Sequence, residues 1–170
     1  MNKLLGLGAL LTGAAAAYLI IAPSPIDPVA WEAPPIPLMS GALEPNDTLM
    51  KAELIGKGAI HGPEDTAVDA EGRLYASLRN GQVVRFGSDG QPAVFADTQG
   101  RPLGMDFDRQ GNLIVADAYK GLLSINPQGQ IRVLSTTAGG VPFAFTDDLD
   151  IASDGRIYFS DASDKFQQPD

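Results

Sequence analysis

One phrase occurs three times along the chain: DAEGRLYAS (69–77), DRQGNLIVAD (108–117) and ASDGRIYFSD (152–161). Each copy leads from a polar turn around a glycine into a short apolar run of strand character. The glycines Gly72, Gly111 and Gly155 recur at a period of about 40 residues, the length of one four-stranded β-propeller blade. No stretch beyond residue 22 carries a helical period, so the reading is all-β. A propeller ring takes at least four blades, and residues 49–170 supply about two and a half. The sequence therefore reads as part of a propeller that this chain does not close alone.

Strand by strand, blade one is expected at 65–69, 73–78, 82–86 and 92–97, with a second hairpin turn at Asn80-Gly81, both residues being tolerant of positive φ. Blade two is expected at 104–108, 112–118, 121–126 and 131–136, and blade three begins with 149–152 and 156–161. The apolar AELIG (52–56) is expected as an N-terminal strand that helps to complete a ring.

Ahead of the repeats, residues 4–22 run without a charge and follow Lys3. That length spans a bilayer core of roughly 30 Å. Residues 1–22 are thus read as a transmembrane signal-anchor. A cleaved signal peptide is the competing reading because of Ala14–Ala17, but the apolar run continues through Tyr18–Ile21. Lys3 puts the amino end on the cytoplasmic side and the propeller on the extracytoplasmic side, in periplasm or lumen. Residues 23–48 hold seven prolines and read as an extended stalk.

The net charge of −9 argues against a nucleic-acid partner, which requires a basic footprint. The chain has no cysteine, which excludes disulfides, thiolate metal sites and cysteine nucleophiles, and a single histidine argues against zinc. No serine stands in a G-x-S-x-G elbow.

The repeat also serves as a ruler. Eight residues ahead of the three glycines stand Glu64, Leu103 and Asp147. Each is expected in the loop feeding the innermost strand of its blade, where equivalent loops converge on the channel mouth. Two carboxylates there suit a hard cation such as Ca²⁺, which takes six to eight oxygen ligands. The alternative is that they satisfy loop amides. Asp148 crowds Asp147, and a bound cation would relieve that repulsion. His61, beside Gly62-Pro63-Glu64, is a candidate proton acceptor, against the alternative of a structural histidine. Tyr119, with Asp117 and Asp161 at strand ends, either lines the pocket or caps turns.

In order along the chain, HGPED (61–65), GRPLGMDFD (100–108), ADAYKGLL (116–123), FTDDLDI (145–151) and IYFSDASDKF (157–166) resemble the strictosidine synthase-like family, within the senescence-marker-protein/gluconolactonase superfamily. The resemblance covers roughly residues 50–170, the N-terminal half of the family's length. It implies a six-bladed propeller with Ca²⁺ at the channel mouth and, in hydrolytic relatives, the opening of lactones or aryl esters. By resemblance Glu64 matches the ligand glutamate of the first blade. Asp147 stands where relatives carry asparagine, which keeps an oxygen ligand and adds a charge. Leu103 stands near a further polar ligand of the gluconolactonase group. The expected function is a membrane-anchored, calcium-assisted hydrolase of a small-molecule ester or lactone. The alternatives are a non-catalytic binding propeller and a strictosidine-synthase-type condensing enzyme, whose glutamate would lie in later blades.

Overall fold

In the computed structural model of the chain, residues 2–21 and 29–163 are described, with side chains from residue 11 onward. The chain divides into two compact units, Met1–Thr48 and Leu49–Asp170.

The first unit holds the helix α1 (Asn2–Ile21) and a 3₁₀ turn at Gly41–Leu43. Tyr18, Leu19, Ile20 and Ile21 are all exposed, and the helix is apolar all round instead of along one stripe. Among the described residues no helix is long and apolar enough to cross a membrane. The expected transmembrane span over residues 1–22 is therefore not shown; the structure gives only the helix α1 over Asn2–Ile21.

The second unit is built from antiparallel sheets. Strands β1 (Pro63–Val68), β2 (Leu74–Leu78), β3 (Gln82–Phe86) and β4 (Pro92–Asp97) form one four-stranded sheet in sequential order. A second sheet has the same order: β5 (Pro102–Phe107), β6 (Leu113–Asp117), β7 (Gly121–Ile125) and β8 (Ile131–Ser135). A two-residue pair follows, β9 (Thr137–Ala138) with β10 (Val141–Pro142), and then the hairpin β11 (Thr146–Ile151) and β12 (Ile157–Asp161).

The repeated phrase folds as it does because of its turn chemistry. In blade one the Gly72 amide donates to the Asp69 carbonyl and the Asp69 amide to the Arg73 carbonyl. Gly72 takes φ +77°, closing a type I turn with a left-handed glycine. The Asp69 side chain locks the loop, Oδ1 accepting from the amides of Glu71 and Arg73. Asp108 repeats this with Gln110 and Asn112, and Asn126 with Gln128 and Gln130. At Asn80-Gly81 only the glycine is left-handed, so the expected mirror-image turn is instead a type I turn, with Gly81 donating to the Leu78 carbonyl.

The blades face each other through side chains. Ala67, Tyr75, Val83 and Ala96 of the first sheet pack with Met105, Leu113, Val115, Leu123 and Ile125 of the second. Tyr75 meets Phe95 and Phe107 edge-on, each at 5.1 Å between centroids. The strands β6 and β7 are buried at every position because both faces of the second sheet are covered, which explains their unbroken apolar runs. Residues 52–56 form no strand; this segment ends in a turn, with Gly56 against the Phe86 ring and Ile60 packed on the outer face of the first sheet.

Candidate functional site

The strands β1, β5 and β11 lie side by side as the innermost strands of successive blades. Each begins earlier than the alternation predicts, and each breaks register at the same place. Pairing shifts between Pro63 and Thr66, between Pro102 and Met105, and between Thr146 and Leu149. The residues inside the three bulges are Glu64-Asp65, Leu103-Gly104 and Asp147-Asp148. The expected loop positions are thus bulges within the strands, a device that re-aims side chains and leaves backbone groups needing partners.

Those partners come from the strands behind. The Ser77 hydroxyl accepts from the Asp65 amide at 3.0 Å and donates to the Leu103 carbonyl at 2.8 Å. The equivalent Ser160 accepts from the Asp148 amide at 3.1 Å. Asp65 then reaches across blades, Oδ2 accepting from the Met105 amide at 2.7 Å. Sequence reasoning missed Asp65, although the same ruler moved by one residue picks out Asp65, Gly104 and Asp148.

Glu64 is held in an ion pair. Its Oε1 lies 2.8 Å from an Arg101 terminal nitrogen, with the arginine side chain 6% exposed and the glutamate 34%. Arg101 is fixed at its backbone by the neighbouring strand end: its amide donates to Asp117 Oδ1 at 3.0 Å, and its carbonyl accepts from the Ala118 amide at 2.9 Å. The same clasp recurs in blade three, where the Phe145 amide donates to Asp161 Oδ1 and the Phe145 carbonyl accepts from Ala162. Asp117 therefore caps a turn through the Tyr119 and Lys120 amides, as one of the two sequence readings held, whereas Asp161 accepts from the Ala144 and Phe145 amides across the strands.

The remaining predicted residues lie as follows. Asp147 is half-buried and, among the described residues, its side chain makes no hydrogen bond or ion pair. Asp148 is exposed, and its Oδ1 accepts from the Leu149 amide at 2.8 Å. Leu103 is buried against Ala118 and Phe145, so its side chain contributes packing and not a pocket surface. Tyr119 is half-exposed, and its amide completes the Asp117 turn. His61 stands on the wall of an apolar cavity of about 590 Å³ with Ile60, Leu78, Val84 and Val94; neither Glu64 nor Asp147 lines it. Among the described residues no group of three or more acidic or histidine side chains could hold a metal ion.

The other charged cluster sits at the far end of blade one. Asp69 is 6% exposed at its side chain and accepts from Arg73 Nε at 2.6 Å and the Tyr75 hydroxyl at 3.0 Å. Burial pushes its carboxyl up, but the Arg73 amide and guanidinium and the Tyr75 hydroxyl outweigh that and hold it below the usual range. Burial raises the Tyr75 hydroxyl. This cluster fixes a turn and lies a strand length from the bulges.

Consecutive four-stranded sheets packed face to face around adjacent inner strands define a β-propeller, with its bulged strand starts gathered at one end. Solved structures agree: a gluconolactonase from Xanthomonas campestris superposes with a TM-score of 0.56 at 26% identity, over 60% of this chain and 35% of its own. Residues 41–86 match the family described as Strictosidine synthase-like, N-terminal. The adipocyte plasma membrane-associated protein of Rattus norvegicus is 38% identical over 89% of this chain and 45% of its own length. Protein STRICTOSIDINE SYNTHASE-LIKE 4 of Arabidopsis thaliana is 41% identical over 69% of this chain and 34% of its own. The chain is a member of this strictosidine synthase-like group and spans less than half the length of these curated relatives.

Proposed function

We propose that the chain is part of a membrane-associated propeller hydrolase that opens a small-molecule ester or lactone with the help of Ca²⁺. The observation that carries this reading is the placement of Glu64 and Asp147 at the same bulge of the first and third inner strands. The likeness to a gluconolactonase structure supports the substrate class. Their donor chemistry fits a hard cation, since both offer carboxylate oxygen and nothing softer. They supply only part of a sphere of six to eight ligands, so further oxygens would come from outside the described residues. When bound, the ion would polarise a carbonyl and lower the pKa of a water.

The chain's own residues do the rest. The bulge, held by Ser77 and Ser160, turns successive residues of the inner strands toward the channel end. The apolar packing of Leu103, Ala118 and Phe145 keeps water from beneath the site. His61 has no part in the reading, because its cavity is not shared with the carboxylates. Membrane attachment is assigned to α1 as a single-pass anchor, supported by its all-round apolar surface and by relatives named as membrane-associated.

The test is calorimetric Ca²⁺ titration of the full chain, with Glu64→Gln and Asp147→Asn beside the wild type, followed by lactone and aryl-ester assays with and without chelator. Both substitutions are expected to weaken Ca²⁺ binding by about tenfold or more, the effect of removing a charged ligand. Unchanged binding in both variants, or turnover indifferent to chelator, would rule out the metal-assisted mechanism.

A further inference from the structure

The pair between Glu64 and Arg101 joins two blades over 37 residues of sequence, and it is built on both sides. Arg101 is nearly closed to solvent, with its backbone clasped by Asp117 and Ala118. The preceding residue must be glycine for this clasp to form: a Cβ on Gly100 would stand 2.4 Å from Asp117 Oδ1. Asp117 is itself fully buried and fixed by the amides of Tyr119 and Lys120. A chain of short contacts thus delivers one guanidinium to one carboxylate oxygen of the first-blade bulge. Two cations cannot both take that oxygen at bonding distance without strong mutual repulsion, since like charges a few ångströms apart interact strongly outside bulk water.

We propose that Arg101 is the internal counter-ion of Glu64, and that guanidinium and a divalent cation are alternative partners of this carboxylate. The inference rests on the reading of Glu64 as a cation ligand and adds a specificity-determining residue to it. Without the divalent ion, Arg101 holds Glu64 in place and keeps the acidic bulge region from self-repulsion. Binding of the ion requires the guanidinium to withdraw, so Arg101 sets the concentration at which the site fills. The guanidinium already sits 2.8 Å from the carboxylate oxygen, so a divalent ion that takes the same lone pairs must first displace it, and that displacement lowers the apparent affinity for the ion.

The experiment titrates Ca²⁺, and Tb³⁺ as a luminescent substitute, into the full chain and into Arg101→Met, Arg101→Lys and Glu64→Gln. Methionine removes the charge and keeps much of the length; lysine keeps the charge. Arg101→Met is expected to bind Ca²⁺ about tenfold or more tighter than the wild type, with Arg101→Lys close to the wild type. In the unmutated protein, hydrogen exchange at the Arg101 guanidinium, followed by NMR, is expected to accelerate as Ca²⁺ is added. This second measurement holds even where Arg101→Met fails to fold. Binding that needs Glu64 but is unchanged in Arg101→Met, or guanidinium exchange insensitive to Ca²⁺, overturns the counter-ion and leaves the metal reading intact. Absence of binding to wild type and to Arg101→Met alike overturns the metal reading and the exchange with it.

Discussion

Asp117 gives the sharpest test of how the site is held. Its side chain is fully buried, and Oδ1 alone accepts from the amides of Arg101 at 3.0 Å, Tyr119 at 2.9 Å and Lys120 at 3.0 Å. Replacement by alanine leaves the Arg101 amide buried without a partner, which costs about 1–3 kcal/mol. The other two amides belong to exposed residues and turn to water, losing about 0.5–1.5 kcal/mol each. Against this, Oδ2 is buried without a hydrogen-bond partner, and removing it recovers part of the carboxylate's desolvation. The net expectation for Asp117→Ala is about 3 kcal/mol, which lowers the melting temperature by roughly 10 °C in a domain of this size. Asparagine keeps one acceptor oxygen but places an amide group where Oδ2 finds no partner, so Asp117→Asn is expected to cost less, about 1–2 kcal/mol. The equivalent Asp161 is exposed, and Asp161→Ala is expected to cost about 1 kcal/mol. Thermal melts of the full chain rank the three, and amide hydrogen exchange localises the effect: Arg101 is expected to exchange on the order of a hundredfold faster in Asp117→Ala. Equal costs at Asp117 and Asp161, or a loss below about 0.5 kcal/mol at Asp117, would refute the clasp as the element that positions Arg101.

Two further outcomes follow from the same packing. A Cβ on Gly104 would stand 2.4 Å from Asp148 Oδ1 and 2.7 Å from the Asp148 Cα, so Gly104→Ala is expected to destabilise by about 1–3 kcal/mol in a denaturant titration, and an unchanged midpoint would mean that β5 and β11 are not so close. The Asp69 carboxyl is held below its usual range, so its stabilisation is complete above the unfolded value of about 3.9 and is lost as pH falls through the lower folded value. The stability gap between wild type and Asp69→Asn is therefore expected to stay constant from neutral pH down to about pH 5 and to shrink below about pH 4; a gap independent of pH across that range contradicts the assignment.

The blade framework was legible because turn chemistry and strand pattern agree locally. Asp69, Asp108 and Asn126 each mark a loop closed by a glycine three residues on, and the loops lie where the pattern puts them. The short β9–β10 pair was missed, yet Gly139-Gly140, both left-handed at φ 58° and 84°, carried the signal for a tight turn. The bulges were not legible within any one blade, since the extra residue in β1, β5 and β11 reveals itself only against the register of the partner strand. Residues 52–56 show the opposite failure: their apolar character was read as a strand, but it is followed by a turn that carries Ile60 onto the outer face of the first sheet. The Glu64–Arg101 pair was invisible for a third reason. It crosses from one repeat to the next, and a repeat ruler compares equivalent positions, not complementary ones.

The differences among the repeats then explain why charge collects where it does. Where a bulge carries aspartate, at Asp65 and Asp148, a serine stands behind it at Ser77 and Ser160. Where the bulge carries Gly104, the position behind is Ala116, fully buried. At Gly104 itself β11 approaches too closely for even one additional carbon. That close approach seats Asp147 and Asp148 on a strand directly beside blade two, whose own bulge residue, Leu103, is apolar and buried. An acid at position 103 would be buried against Ala118 and Phe145. Instead blade two contributes Arg101, two residues earlier, as the cation facing the first of them. At equivalent positions the first and third blades thus carry the acids Glu64 and Asp147, while the second carries buried Leu103 and sends Arg101 across to Glu64, so complementarity between blades and not repetition sets the charge at this end of the strands.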